Sequence, residues 1–563
     1  MKNLRAAFIT ILCLLFFIPL KAQVWNKLGQ GFLNGGANVY CLKKIDTLLY
    51  LGGPFYFIGS EKMKYIATYN GSTLDSLPTL LGPKVGIPYS ISKFNNQIFI
   101  GGDFKRIAIT SSVNDTSIIP NTNAIAAWDG AQWSSVGGGI VSGKVYALEF
   151  KNSLYVGGGF SATQNLSNLN CMARWDGSQW HNVGTGIYGD FKQVRAMAVF
   201  NDNLYIAGCF SKAGGIPAFN IAGWDGTQYF DLDTGVLGDV YSLLVDSINN
   251  FLYVGGQIYH AGGNNGIALQ SHVAQWDGYE WNSVGINPQL NTGGNALALY
   301  YNQLYAAAFN GTDTIISRFD GNQWYWVPGP IASIACLEVY NGELYAGGGY
   351  ILTTSGDTAW GAARYYAPPD TTSCLFIQPL IHAMPFGTKE VADTIYTTAP
   401  YYIQFYTNNK YASSWSWDFG DGGTGNTREP EHTYAAPGTY NVTLEVIQPH
   451  NLSSQVCTLN VAKTITIIDN TAVKETAKDT IEYLGQNIPN PFSNTTVIPY
   501  YVPFGTRGVM QIHSAAGALV GEYGLQEGKQ TLEVSMKEFR AGTYFYSLVI
   551  DGVVKGSRRM VVE

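Results

Sequence analysis

A short phrase, an aliphatic residue followed by an aromatic, another apolar residue and then a run of small residues, recurs seven times along the chain. The copies are LYLGGPF, IFIGGDF, LYVGGGF, LYIAGCF, LYVGGQI, LYAAAFN and LYAGGGY, starting at Leu49, Ile98, Leu154, Leu204, Leu252, Leu304 and Leu344. Their spacing runs from 40 residues (Leu304 to Leu344) to 56 (Ile98 to Leu154). A unit of that size is one four-stranded sheet, which cannot bury its faces alone and must stack on copies of itself. A second phrase precedes each copy: VYCLKK, PYSISK, VYALEF, VRAMAV, VYSLLV, NALALY and IACLEV. An Asp-Gly beside aromatic residues follows five of them, in AAWDGAQW, ARWDGSQW, AGWDGTQY, AQWDGYEW and SRFDGNQW. One unit then reads as strand one VYALEF, strand two LYVGGGF, strand three MARWDG and strand four QWHNVG, with Asp-Gly as the turn between three and four.

The ends of the repeat region do not match each other. VWNKLGQGF, starting at Val24, looks like a strand four with no strands one to three before it, whereas the seventh repeat stops after AARYYA without a strand four. Pairing Trp25–Gly29 with Ala362–Ala367 supplies the missing strand and leaves no open sheet edge. Residues 23–368 therefore read as a seven-bladed β-propeller closed by its N-terminal strand. Composition agrees with an all-β chain, since 13% of the 563 residues are charged, 14% are aromatic and 65 are glycine. A net charge of −7 offers no basic surface for phosphates, so nucleic acid is excluded as a partner.

These phrases, above all SKAGGIPAFNIAGWDGTQ in the fourth repeat, resemble the repeats of kelch and galactose-oxidase-type propellers and of fungal cortical-marker propellers. Those families share a scaffold more than an activity. The copper-ligating Tyr, His and Cys pattern of galactose oxidase is not discernible, so the resemblance implies no oxidase chemistry. Asp129, Asp176, Asp225, Asp277 and Asp320 are read as turn formers, because a residue repeated around a ring is explained by what each blade needs. Asn70 in the first repeat, able to make the same turn, supports that reading.

One position varies. Just before the small residue of strand one stand Tyr40, Tyr89, Tyr146, Arg195, Tyr241, Asn295 and Ala335. Placed near the mouth of a central channel, the aromatic rings, one guanidinium and one amide would suit a glycan or a peptide, while inter-blade packing is the plainer role. The long segment KRIAITSSVNDTSIIPNTNA in the second repeat is a second candidate for specificity. The chain has no H-E-x-x-H, G-x-S-x-G, P-loop or Cys-x-x-Cys motif. Catalysis is thus not assigned, and a pair of glycosidase-type carboxylates meeting from different blades is kept as the alternative.

Residues 371–470 contain SWSWDFGDGGTGNTREPEHTYAAPGTYNVTLEV, which closely resembles the polycystic kidney disease (PKD) domain, an immunoglobulin-like β-sandwich. Asp418 and Asp421 bracket its glycine turn. Some PKD domains bind Ca²⁺ near such acids, which makes these two the candidate metal ligands, set against a spacer domain with no cofactor. Cys374 and Cys457 flank this core and are the candidate disulfide; Cys41 with Cys336, and Cys171 with Cys209, are left as a clasp or as free thiols.

After a linker at 471–482, residues 483–563 resemble the type A C-terminal sorting domain of the type IX secretion system, a small β-sandwich. The match lies in Pro489, Asn490, Pro491 and Phe492, in IHSAAGALV, in RAGTYFYSL and in the basic KGSRRMVV. Residues 1–22 join Lys2 and Arg5 to an apolar run ending in a small residue, the pattern of a secretory signal peptide. Cys13 lies inside that run, which disfavours a lipoprotein anchor, and no later segment is apolar enough to span a bilayer. The combined expectation is a secreted or surface-attached binding or adhesion protein of a Gram-negative bacterium, handled by the type IX machinery, with an extracellular glycan or protein ligand and no integral membrane segment when mature. The alternative is an extracellular polysaccharide hydrolase or lyase.

Overall fold

The computed structural model describes most of residues 24–367, 379–469 and 484–562. Residues 1–23, 29–37, 78–85, 368–378, 450–455 and 470–483, with short stretches elsewhere, are outside the described residues, and so are the expected signal peptide and linker. The described elements are β-strands throughout, so the chain is all-β. Among the described residues no helix is long and apolar enough to cross a membrane. The chain divides into two compact units, Met1–Asn470 and Thr471–Glu563.

In the first unit, the strands between Val24 and Tyr366 include seven antiparallel sheets, each built on a four-strand path. Their innermost strands are Cys41–Ile45, Ile87–Phe94, Gly143–Phe150, Gln193–Phe200, Val236–Asp246, Thr292–Tyr300 and Ile334–Tyr340. Each touches the next in chain order, and the last touches the first, so the sheets form a closed ring. Six of the sheets take their four strands in sequence. In the seventh the outer strand is Val24–Lys27, which runs antiparallel to Thr358–Tyr366 with Trp25 opposite Tyr365 and Lys27 opposite Ala363. Trp25 is buried against Tyr300, Tyr305, Val327 and Tyr365, and its ring centroid lies 4.9 Å from that of Tyr365.

The glycine pairs of strand two follow from how closely these sheets approach. A Cβ on Gly101 would stand 2.3 Å from Val145 Cγ1 of the next sheet, and one on Gly157 would stand 2.4 Å from Val194 Cγ1. The second glycine faces its own innermost strand. There a Cβ on Gly158 would meet the Lys144 carbonyl oxygen at 2.0 Å. The strand-four aromatics join neighbouring sheets by a repeated hydrogen bond. Trp180 Nε1 donates to the Val136 carbonyl at 3.2 Å, Tyr229 Oη to Val183 at 2.9 Å, Trp281 Nε1 to Leu232 at 2.8 Å and Trp324 Nε1 to Val284 at 2.7 Å. Each bond gives the indole or phenol donor of the aromatic residue an acceptor in the preceding sheet, where burial would otherwise leave it unsatisfied.

Residues 381–469 form a sandwich of a three-stranded sheet (His382–Pro385, Tyr401–Tyr406, Glu431–Tyr434) and a five-stranded sheet dominated by Gly438–Pro449 and Val456–Asp469. Phe405, Trp417, Phe419, Tyr434, Val442, Leu444 and Ile465 fill it. Cys457 is disulfide-bonded, while Cys374 lies outside the described residues. Cys41, Cys171, Cys209 and Cys336 are free thiols. This sandwich packs on the fifth sheet of the ring. Asn250 Nδ2 donates to Tyr406 Oη at 3.0 Å, Asn408 Nδ2 donates to the Asn249 carbonyl at 3.2 Å, and Leu380 packs beside Phe251 and Tyr253.

The described residues of the second unit form two sheets. Thr495–Val502 pairs with Gly528–Ser535, and Leu519–Leu525, Gly508–Ser514, Gly542–Ile550 and Val553–Val562 follow one another in the other. Its core includes Ile498, Met510, Ile512, Tyr546, Leu548 and Met560.

Candidate ligand site at the channel mouth

The variable position of strand one has a structural cause. In five sheets the pairing between strands one and two slips by one residue, between Pro88 and Ser90, Val145 and Ala147, Val194 and Ala196, Val240 and Ser242, and Ile334 and Cys336. The residues skipped are Tyr89, Tyr146, Arg195, Tyr241 and Ala335. Each is the extra residue of a β-bulge, a device that bends the strand and re-aims a side chain. The second glycine of the strand-two pair leaves the room that this bulged backbone takes.

These side chains meet. Tyr40, Tyr89, Tyr146, Arg195, Tyr241, Asn295 and Ala335 all line one open cavity of about 240 Å³ along the inner strands. The rings of Tyr40 and Tyr89 are edge-on at 5.9 Å between centroids, and those of Tyr89 and Tyr146 lie 5.2 Å apart. The Arg195 guanidinium sits over the Tyr241 ring at 4.8 Å and 3.5 Å from Asp239 Oδ2. Lys144 pairs with Asp103 at 2.8 Å beside the tyrosines. Burial raises the Tyr89 hydroxyl above its ordinary value against the pull of Lys144, so it stays a neutral donor at physiological pH. The cavity thus offers aromatic faces, phenol hydroxyls and one cation held by a stacked ring.

Deeper along the same strands lie groups that sequence reasoning missed. Glu149 and Glu338 are half-buried, and burial pushes both carboxyls up while the Lys43 ammonium pulls them down. They occupy one register of strand one, three residues past the bulge, where other sheets carry Ser92, Ala198, Leu244 and Ala298. Cys41, at the small-residue position, is raised to about 12 by burial and is an inert thiol at neutral pH.

The repeated aspartates are turn formers in the geometry. Asp176 Oδ1 accepts the N–H groups of Ser178 and Gln179 at 2.7 and 2.8 Å, and Asp129 and Asp225 make the same pair of bonds. Asn70 Oδ1 does likewise with Ser72 and Thr73, both at 2.9 Å. The long segment of the second sheet is a hairpin of Ile107–Ser112 and Asp115–Ile119. In the sandwich, Asp418 Oδ1 accepts from Gly420 N and Asp421 Oδ1 from Gly423 N, each at 2.9 Å, while Asp421 Oδ2 lies 2.9 Å from His432 Nε2. Burial works against the Asp421 carboxylate, but His432 and the turn amide outweigh it and hold its pKa below the usual range. In the second unit Asn490 Oδ1 accepts from Val561 N at 2.8 Å, Asn490 Nδ2 donates to the Arg559 carbonyl at 3.1 Å, and Phe492 is buried beside Val562. Pro491 joins the two, and Pro489 lies outside the described residues.

The profile of the PKD domain family matches residues 388–462. These residues form a PKD domain. A comparison with curated proteins finds no match to the sequence. Among solved structures, the chain is similar to YCF48 bound to D1 peptide, at 14% identity and a TM-score of 0.35, over 62% of this chain and 97% of that one. It is similar to PorZ of Porphyromonas gingivalis, described as an essential bacterial surface component of the type-IX secretion system, at 12% identity and a TM-score of 0.28, over 93% of this chain and 75% of that one. A third similarity is to the extracellular domain of the putative hybrid two component system BT4673 from B. thetaiotaomicron, at 9% identity and a TM-score of 0.21, over 80% of this chain and 99% of that one.

The inner carboxyls make a pH prediction. The Glu149 and Glu338 pKa values are raised in the folded chain, above the roughly 4.3 of an unfolded glutamate, so the folded state holds these protons more tightly. Their contribution to stability is full below the unfolded value and is lost as pH rises through the folded one. Glu149→Gln, which keeps the shape and cannot ionise, is expected to raise the melting temperature at pH 7 by roughly 2 °C and to leave it unchanged near pH 4. Thermal melts at the two pH values check this, and equal shifts at both would contradict it.

Proposed function

We propose that residues 23–368 are a kelch-like, seven-bladed propeller that binds an extracellular glycan or protein segment at the channel mouth. The observation that carries this reading is the set of bulge-borne side chains around one cavity. The bulge is a repeated backbone feature, whereas the residue it presents changes from tyrosine to arginine or alanine. Aromatic faces stack on sugar rings or apolar side chains, and Arg195 supplies a charged donor for a carboxylate or a polar hydroxyl. A polysaccharide hydrolase or lyase is the second reading, favoured by the raised carboxyls of Glu149, in the cavity wall, and of Glu338 at the same register of its strand. Turnover of a bound glycan, in place of reversible binding, would select it.

The test is a glycan-array and peptide-binding screen with the Met1–Asn470 unit, taken from Val24 onward. Arg195→Ala is expected to weaken binding of the selected ligand by about tenfold or more with an unchanged melting curve. Asp176→Ala, a change at a turn, is expected to lower stability modestly and leave affinity intact. Wild-type affinity in Arg195→Ala would remove the mouth as the binding site.

We further infer that the chain is secreted to, or released from, the surface of a Gram-negative bacterium by the type IX machinery, with residues 483–563 as the sorting domain. The resemblance of its motifs supports this, and the Asn490–Phe492 segment, which clamps the final strand, gives the central motif a structural role within that fold. Cleavage is expected between Asp469 and Tyr483, and the intact mass of surface protein should show a chain ending there. Surface chains that end at Glu563 would contradict this export route.

A further inference from the structure

Asp277 departs from its counterparts. Asp129 and Asp225 are exposed at their turns, and Asp176 and Asp320 are half-exposed, but Asp277 is fully buried. The residue three positions on is also different, since Glu280 stands where the other Asp-Gly turns carry Gln132, Gln179, Gln228 and Gln323. This is the turn on which the PKD domain packs. His382, at the start of the first described strand of that domain, reaches it with no solvent exposure. Its Nε2 lies 2.8 Å from Asp277 Oδ2, and its Nδ1 lies 3.4 Å from Glu280 Oε1.

We propose that Asp277, Glu280 and His382 bind one divalent first-row transition-metal ion, of the Zn²⁺ class, that ties the fifth sheet of the ring to the PKD domain. One ligand atom from each residue can be chosen so that all three lie within 4.8 Å of one another. A second observation points to a ligand. Neither ring nitrogen of the fully buried His382 makes a hydrogen bond, although carboxylate oxygens stand close to both. The oxygens are near enough for ionic contact but badly placed for an N–H donor. A metal ion on one ring lone pair would satisfy that nitrogen and draw on the nearby carboxylate oxygens, while the other nitrogen keeps its proton, in a setting where an unsatisfied buried polar atom is costly.

The surroundings hold these groups in place. Tyr406 stacks on the imidazole at 5.7 Å, and Tyr279 lies at the same distance on a tilted ring. Asp277 Oδ1 is occupied by the N–H groups of Tyr279 and Glu280 at 2.8 and 2.9 Å, which turns Oδ2 toward His382. Such supporting bonds orient metal ligands and fix which atom is presented. The nearby cations are already paired, Lys463 with Asp393 at 2.9 Å and Arg428 with Glu429 at 3.5 Å, so two carboxylates face one imidazole. One nitrogen and two oxygen donors suit Zn²⁺ and its neighbours, whereas Ca²⁺ takes six to eight oxygens. Glu280 is 40% exposed and gives the ion its route in. Because the ligands come from both domains, binding adds a bond across the junction that neither domain could form alone.

The experiment uses the full mature chain, stripped with chelator and titrated with ZnSO₄ by calorimetry, with Co²⁺ as an optical probe. The proposal expects one Zn²⁺ per chain, a rise in melting temperature on binding, and a Co²⁺ visible spectrum of mixed nitrogen and oxygen ligation. Glu280→Gln, at a partly exposed position that should fold normally, is expected to weaken Zn²⁺ at least about tenfold and to abolish the melting shift. His382→Gln, where it folds, should remove the Co²⁺ spectrum. A folded wild-type chain that takes up no Zn²⁺ at 100-fold excess would overturn the proposal. So would Zn²⁺ binding that is unchanged in Glu280→Gln, or a site that takes Ca²⁺ in preference to Zn²⁺.

Discussion

The ring depends on a strand lent from the other end of the chain. Each four-stranded sheet has two apolar faces and no way of burying them except against its neighbours, so an open row of seven would leave two faces and two edges to water. Val24–Lys27 completes the seventh sheet beside Thr358–Tyr366 and brings Trp25 into its core. The contact between Cys41–Ile45 and Ile334–Tyr340 then closes the circle. Once the ring is closed, the sheet-to-sheet spacing is set. That spacing is what the first glycine of each strand-two pair and the strand-four aromatic both serve.

Within this frame, repetition marks scaffold and departure marks candidate chemistry. The Asp-Gly turns, the paired glycines and the aromatic donors are reused because each sheet has the same needs: a turn, a close approach and a bond to its neighbour. The bulge is also reused, but it presents a side chain that the scaffold does not constrain. Tyr89, Tyr146, Arg195 and Tyr241 share one backbone device and differ in what they could bind. Asp277 shows the converse. It keeps the turn bonds of its counterparts through Oδ1, and its second oxygen faces a histidine from the next domain at 2.8 Å and accepts from Asn282 Nδ2 at 3.4 Å.

Much of this was legible in the sequence. The repeat phrases fixed strand order within each sheet, and the mismatched ends pointed to the lent strand. The PKD domain was readable from WDFGDG and PGTYNVTL. The candidate mouth positions could be picked out because they vary within an otherwise regular phrase. What could not be read is whatever depends on packing between distant segments. The bulge has no local signature beyond the glycine pair that accommodates it. Glu149 and Glu338 come together with Lys43 only when the third, seventh and first sheets share one channel. The docking of the PKD domain rests on Asn249, Asn250 and Tyr406, none of which belongs to a motif. The one available clue was Glu280, a glutamate where every other Asp-Gly turn of the ring has glutamine.

The most direct test of this account is amide hydrogen exchange in the full chain and in a chain lacking residues 24–27. If the lent strand closes the ring, the amides of Thr358–Tyr366 are protected in the full chain. In the shortened chain they should lose that protection together with those of Ile334–Tyr340 and Cys41–Ile45. Protection that is unchanged across these three strands would mean that the ring holds without the N-terminal strand, and would contradict the account.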